Sequence, residues 1–163
     1  MKQAVIAGAS GFIGQALLEE FRARGWRTVA VSRTASVPGA DVTVSWIDSP
    51  GSPLAETLAQ SQAMINLTGR SIMTRFTPQA MEEIRSSRVE STERLARLCA
   101  VLGDKAPPVW VNASAVGIYG DRGSRILTEA SSGGEGFLPD SCAAWESACL
   151  NTDLPQVRRA ALR

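Results

Sequence analysis

The run Val5-Ile6-Ala7-Gly8-Ala9-Ser10-Gly11-Phe12-Ile13-Gly14 carries the residues best spaced for chemistry in this chain. Val5, Ile6 and Ala7 read as a short buried strand, and the apolar spacing of Phe12, Leu17, Leu18 and Phe21 reads as a helix. Between them stand three glycines at a spacing of three. A glycine turn leading into a helix N-terminus offers free amides to negative charge and lets the backbone approach a ligand closely. That arrangement suits a diphosphate, so Gly8, Ser10, Gly11, Phe12, Ile13 and Gly14 are the candidate contacts. The spacing is Gly-x-x-Gly-x-x-Gly, which matches the general dinucleotide fingerprint in mechanism but not in letter. The plainer reading is a tight strand-to-helix connection, but that needs only one glycine.

The second candidate position is Ser32-Arg33, at the end of the next strand. In a dinucleotide-binding fold an acidic residue here bonds the adenosine ribose, whereas an arginine accommodates a 2′-phosphate. No Asp or Glu occupies the position, which favours NADP over NAD. Arg33 as a solvated surface charge is the other reading.

Other chemistry is excluded by composition. The chain has no histidine, which removes histidine-ligated zinc, catalytic triads and histidine bases. A net charge of +1 gives no ground for a nucleic-acid or anionic-membrane partner. The apolar run before Gly8 is too short for a signal peptide or a membrane span. Cys99, Cys142 and Cys149 lack metal-like spacing and read as reduced thiols of a cytoplasmic protein.

The positioning elements alternate between strand-like and helix-like stretches, as in a doubly wound α/β parallel sheet with helices on both faces. Further strands are expected over 27–32, 42–47, 63–67, 109–113 and 155–162, making about six with the first. Helices are expected after Pro53, after the Thr77-Pro78 start as far as about Leu102, and over 140–150. A Gly- and Ser-rich loop spans 117–136. Residues 1–163 thus read as one dinucleotide-binding domain of Rossmann type. With the last strand expected to end near Arg163, no substrate-closing half of the crevice is expected, so the chain reads as part of, or a shortened relative of, a larger enzyme. A complete flavodoxin-like domain, binding FMN or a mononucleotide, is the other reading. An unpaired sixth strand would also favour a homodimer.

These residues together resemble the extended short-chain dehydrogenase/reductase superfamily, in its nucleoside-diphosphate-sugar epimerase-like branch. The resemblance is carried by residues 8–14, Val31-Ser32-Arg33, Ile65-Asn66-Leu67-Thr68-Gly69, residues 84–89, Ala113-Ser114-Ala115-Val116-Gly117-Ile118-Tyr119-Gly120-Asp121 and Trp145-Glu146. It implies that Leu67 and Thr68 pass beside the cofactor, that Glu83 and Arg88 border the same crevice, and that Ser114 bonds the reacting oxygen. Arg88 has no acidic residue three or four positions away to hold it as a surface ion pair.

The resemblance fails at one place. The superfamily's Tyr-x-x-x-Lys acid/base helix is replaced by Cys142-Ala143-Ala144-Trp145-Glu146, and the only lysines are Lys2 and Lys105. A carboxylate would raise a neighbouring thiol's pKa and offers the cofactor no cation. Cys142 is therefore read as a small core residue, while Glu146 is either a surface group or a proton-transfer group tuned by burial. The leading reading is the NADP-binding half of an epimerase or reductase acting on a sugar-nucleotide-like or carbonyl substrate. The competing one is a non-catalytic NADP-binding module that reports redox state.

Overall fold

The computed structural model describes residues 1–163. Strand β1 (Gln3–Ala7) is buried along its whole length, as the apolar run Ala4 to Ala7 covered on both faces requires. Helix α1 (Phe12–Ala23) follows it, then β2 (Arg27–Val31), β3 (Val42–Val44), α2 (Pro53–Ala59) and β4 (Ala63–Asn66). The long helix α3 (Pro78–Leu102), β5 (Val109–Ala113), α4 (Phe137–Leu150) and β6 (Arg158–Leu162) complete the chain. The sheet has six strands in the order β3-β2-β1-β4-β5-β6, all neighbours parallel. The chain order reverses between β1 and β4, which places the ligand crevice beyond their carboxyl ends.

Alternate residues of the strands feed two separate cores, one on each face. Val5, Ala7, Val29 and Met64 meet Leu54, Leu58, Leu95 and Cys149 from α2, α3 and α4. Ala4, Ile6, Ala30 and Ile65 meet Leu18 of α1 on the opposite face. This is the doubly wound Rossmann architecture read from the sequence. No helix is long and apolar enough to cross a membrane.

β2 and β4 each end one residue earlier than expected, and three boundaries differ by more. β3 stops at Val44, because the backbone then leaves the ladder with β2 at Ser32, whose amide donates to Val44 O. α4 begins at Phe137 rather than Asp140, since Pro139 in its first turn needs no hydrogen bond there. β6 begins at Arg158, because Leu154 to Val157 form a turn closed by the Val157 amide on Leu154 O. Within the expected loop 117–136, a short 3-10 turn covers Val116–Tyr119.

Candidate functional site

The three glycines of the first loop are required for three different reasons. Gly8 has φ +81°, and a Cβ there would lie 2.9 Å from the backbone of Leu67, so it allows both the turn and close approach of β4. A Cβ on Gly14 would lie 2.5 Å from Gly8 O, so this glycine lets α1 seat against the loop. A Cβ on Gly11 would meet nothing closer than 3.4 Å, leaving that face of the loop open to a ligand.

Helix α1 starts at this open face with no side-chain cap. By contrast, Ser52 caps α2 and Thr77 caps α3, each accepting from a backbone amide at 3.2 Å. The first amides of α1, on Phe12, Ile13 and Gly14, therefore have no intrahelical partner and suit an anion. This cradle fits a dinucleotide diphosphate. The Phe12 side chain does not join the core as its periodicity predicts. At the first helical position it is 94% exposed, and Gly14 and Leu18 make the buried face instead.

The loop opens into a cavity of about 650 Å³. Besides the glycines, its lining includes Leu67, Ile84, Arg88, Ser114, Cys142 and Trp145, drawn from four separate stretches of the chain. A buried polar network fixes its floor. The Asn66 amide donates to Thr92 Oγ1 at 2.9 Å and to Asn112 Oδ1 at 2.8 Å. Asn66 Oδ1 accepts from the Thr68 amide at 3.2 Å and its hydroxyl at 2.5 Å, while the Trp145 indole donates to Thr92 Oγ1 at 3.0 Å.

Arg88 is half-buried, donates to Arg70 O and Ile84 O at 2.9 Å each, and lies 5.2 Å from the Trp145 ring centroid. Burial lowers its pKa, and the Cys142 sulfur opposes that change. The backbone at Gly69 makes room for it, since a Cβ there would come within 2.9 Å of the guanidinium carbon. Leu67 and Arg88 thus both line the cleft. The Thr68 hydroxyl instead turns to Asn66 and to Ser91 Oγ at 2.6 Å, and Glu83 pairs with Arg70 and accepts from Gln79 at 3.0 Å, away from the cavity lining.

Beyond the end of β2, Ser32 Oγ lies 2.8 Å from Thr34 Oγ1 and accepts from the Thr34 amide at 3.1 Å. The same turn carries Arg33, which is exposed. Ser10 is exposed on the glycine loop.

Ser114 and Glu146 meet directly. The Ser114 hydroxyl donates to Glu146 Oε1 at 2.6 Å, and Glu146 is 7% exposed rather than a surface group. Arg163 completes the set with Nε on Oε1 and Nη2 on Oε2, both at 2.8 Å. The Arg163 hydrogen bonds hold the Glu146 carboxyl below the ordinary 4.5, against the upward push of burial, with Ser114 adding to the effect. Cys142 is buried beside Ile118 and Tyr119, and its desolvated thiol is pushed up. Arg163, Thr92 and Asn112 were not singled out from sequence, and Asn66 only within the run Ile65 to Gly69. For Asn66, Thr92 and Asn112 the further signal is polarity at strand or helix positions that ought to be apolar; Arg163, just past β6, carries none.

The fold and this cleft define a dinucleotide-binding α/β domain. The sequence profile of the NAD dependent epimerase/dehydratase family matches residues 4–139, and the chain belongs to that family. It is 33% identical over 97% of its length to the epimerase family protein SDR39U1 homolog, chloroplastic, of Arabidopsis thaliana, covering 47% of that protein. Among solved structures it resembles human epimerase family protein SDR39U1 with NADPH, at 28% identity and TM-score 0.83, over 99% of this chain and 52% of that one. It also resembles a nucleoside-diphosphate sugar epimerase from Corynebacterium glutamicum, at 32% identity and TM-score 0.78, over 99% of this chain and 33% of that one. The chain spans about half the length of the curated relatives it matches.

Proposed function

We propose that this chain is the NADP-binding half of an epimerase- or reductase-like oxidoreductase of the cytoplasm, with Ser114 and Glu146 as its acid/base couple. The observation that carries the reading is the open Gly11 face against an uncapped helix N-terminus, with Arg33 in place of an acid just past β2. Arg33 would hold a 2′-phosphate, Gly8 to Gly14 the diphosphate, and Arg88 a phosphate or ribose oxygen further along the cleft. When bound, the nicotinamide ring supplies the hydride chemistry. Ser114, on the cavity wall, meets the reacting oxygen of a sugar-nucleotide-like or carbonyl substrate and exchanges its proton with Glu146. Human SDR39U1, solved with NADPH, supports the choice of dinucleotide.

Titration with NADPH and NADH, read by melting temperature and tryptophan emission, tests this. NADPH should bind about tenfold tighter or better, since a phosphate on a free arginine is a charge-assisted contact. Equal affinities would overturn the NADP preference, and no response to either would overturn the reading as a whole.

A second reading, an NADP-binding redox sensor without catalysis, is favoured by one observation: Cys142 and Glu146 stand where the superfamily's tyrosine and lysine would be. NADPH oxidation measured over a panel of carbonyl compounds and sugar nucleotides separates the two. Tight dinucleotide binding with no turnover across the panel would leave the sensor.

A further inference from the structure

Ser114 and Glu146 lie on different cavities. Ser114 lines the cofactor cleft, whereas Glu146 lines a second cavity of about 620 Å³ together with Tyr119, Glu129 and Arg163. The two cavities share only Val116 on their walls, and the 2.6 Å Ser114 to Glu146 hydrogen bond joins them.

The donors around Glu146 fix the direction of that bond. Both carboxylate oxygens accept from the Arg163 fork, and Oε1 also accepts from Ser114. The fork is itself held, because Arg163 Nη1 donates to Tyr119 Oη at 3.0 Å and to Glu129 O at 3.1 Å. A carboxylate in a bidentate guanidinium pair has no proton to offer, so the hydrogen between the two groups belongs to Ser114 and points away from the cleft. Toward the cleft Ser114 keeps only lone pairs. A hydroxyl arriving there finds an acceptor, and a carbonyl oxygen finds no donor.

We propose that Arg163 is a positioning residue that keeps Glu146 as the acceptor of the Ser114 proton, so that the site takes its substrate as an alcohol in preference to a ketone. The proposal rests on the functional reading above and sharpens its substrate class. The alcohol O–H proton passes to Ser114 Oγ as the Ser114 proton passes to Glu146 Oε1. The hydrogen on the carbinol carbon, with its electron pair, would be taken up by the hydride-accepting chemistry that oxidised NADP supplies when bound. The C–O single bond becomes a carbonyl, and Glu146 ends as a neutral carboxyl facing the second cavity, through which the proton can leave. The reverse reaction needs Glu146 protonated beforehand, which the Arg163 fork opposes near neutral pH.

The other charged or titratable groups facing Glu146 do not supply this effect. Arg159 of β6 spends its Nη1 on Cys149 O and Thr152 O. Arg88 of α3 lies on the cofactor side, beside Cys142 and Trp145. Tyr119 accepts from Arg163, Glu129 presents its backbone oxygen, and Cys142 and Cys149 on the same helix are desolvated thiols with raised pKa values.

Two measurements on the chain test the proposal. Carbon-13 NMR of glutamate-labelled protein, from about pH 3 to 8, follows the Glu146 carboxyl without any dinucleotide. It should titrate below the free-glutamate range in the wild type and at least about one unit higher in Arg163→Met, with Arg163→Lys between them. With NADP bound, cyclohexanol and cyclohexanone serve as a matched probe pair. The alcohol should bind about tenfold tighter, and the preference should vanish in Arg163→Met and in Ser114→Ala. A ketone bound as tightly as the alcohol by the wild type, or a Glu146 titration unmoved in folded Arg163→Met, overturns the proposal. Should Arg163→Met fail to fold, Arg163→Lys makes the same comparison. Failure of NADP to bind would overturn the functional reading alone, and the carboxyl titration would still decide the role of Arg163.

Discussion

The guanidinium carbon of Arg88 lies over the Trp145 ring, 5.2 Å from its centroid, while the indole of the same tryptophan donates to Thr92 one turn along α3. The cation that faces the cleft is thus held by an aromatic face, two carbonyl oxygens and no acid. Arg88→Ala should weaken NADPH binding about tenfold with little change in melting temperature. Arg88→Lys should not restore it, because a strongly hydrated ammonium suits the Trp145 face less well than a guanidinium does. Calorimetric titration of the two variants checks this, and full recovery in the lysine variant would remove the cation–π argument.

Gly11 and Gly14 should respond oppositely to the same added methyl group. Gly14→Ala drives a Cβ to within 2.5 Å of Gly8 O and should cost about 2–3 kcal/mol in urea unfolding. Gly11→Ala meets nothing closer than Gly8 O at 3.4 Å and should cost less than about 1 kcal/mol, yet lower NADPH affinity by tenfold or more, since the methyl sits where the diphosphate would lie.

Substitution of Arg33 should change selectivity rather than affinity in general. Arg33→Ala is expected to weaken NADPH by about tenfold and leave NADH nearly unchanged, because only the 2′-phosphate asks for that cation. Parallel titrations with both dinucleotides read this directly. An equal loss for both would place Arg33 elsewhere on the ligand.

Acid should remove the stability that the paired Glu146 carboxylate brings. Its folded carboxyl is held below the ordinary 4.5, so the stability it brings is complete above that value and disappears as pH falls through the lower folded one. Glu146→Gln should therefore be less stable than the wild type at neutral pH, with a flatter fall in stability between about pH 5 and 3. Melting temperatures across that range test the sign.

The core predicts its own weak point. Leu95 of α3 is fully buried in the larger of the two apolar layers, and Leu95→Ala should cost about 2–5 kcal/mol by chemical denaturation while leaving the glycine loop intact.

The centre of the sheet was readable in advance because β1, β2 and β4 each hold three or four consecutive apolar residues, and β1 needs no tertiary context to be recognised. The glycine loop was readable for the same local reason. Pairings between distant elements were not. Glu146 looked equally suited to solvent or to a buried site, since the arginine that decides the matter lies 17 positions further on, just past the end of β6. Glu83 was expected at the crevice because nothing near it in the helix showed that Arg70, in the turn before α3, would engage it. Thr68 sat correctly at the end of β4, but the direction of its hydroxyl depends on Asn66 and Ser91. Local pattern reveals which elements form, and side-chain direction then depends on partners supplied by other elements.

Asn66 uses every hydrogen-bonding position of its amide, two donated and two accepted, across β4, β5 and α3. An aspartate of nearly the same shape would set an oxygen against the Asn112 oxygen. The base of the cleft is therefore settled when the chain folds, and an arriving nucleotide meets a rigid template that requires no ordering at the moment of capture.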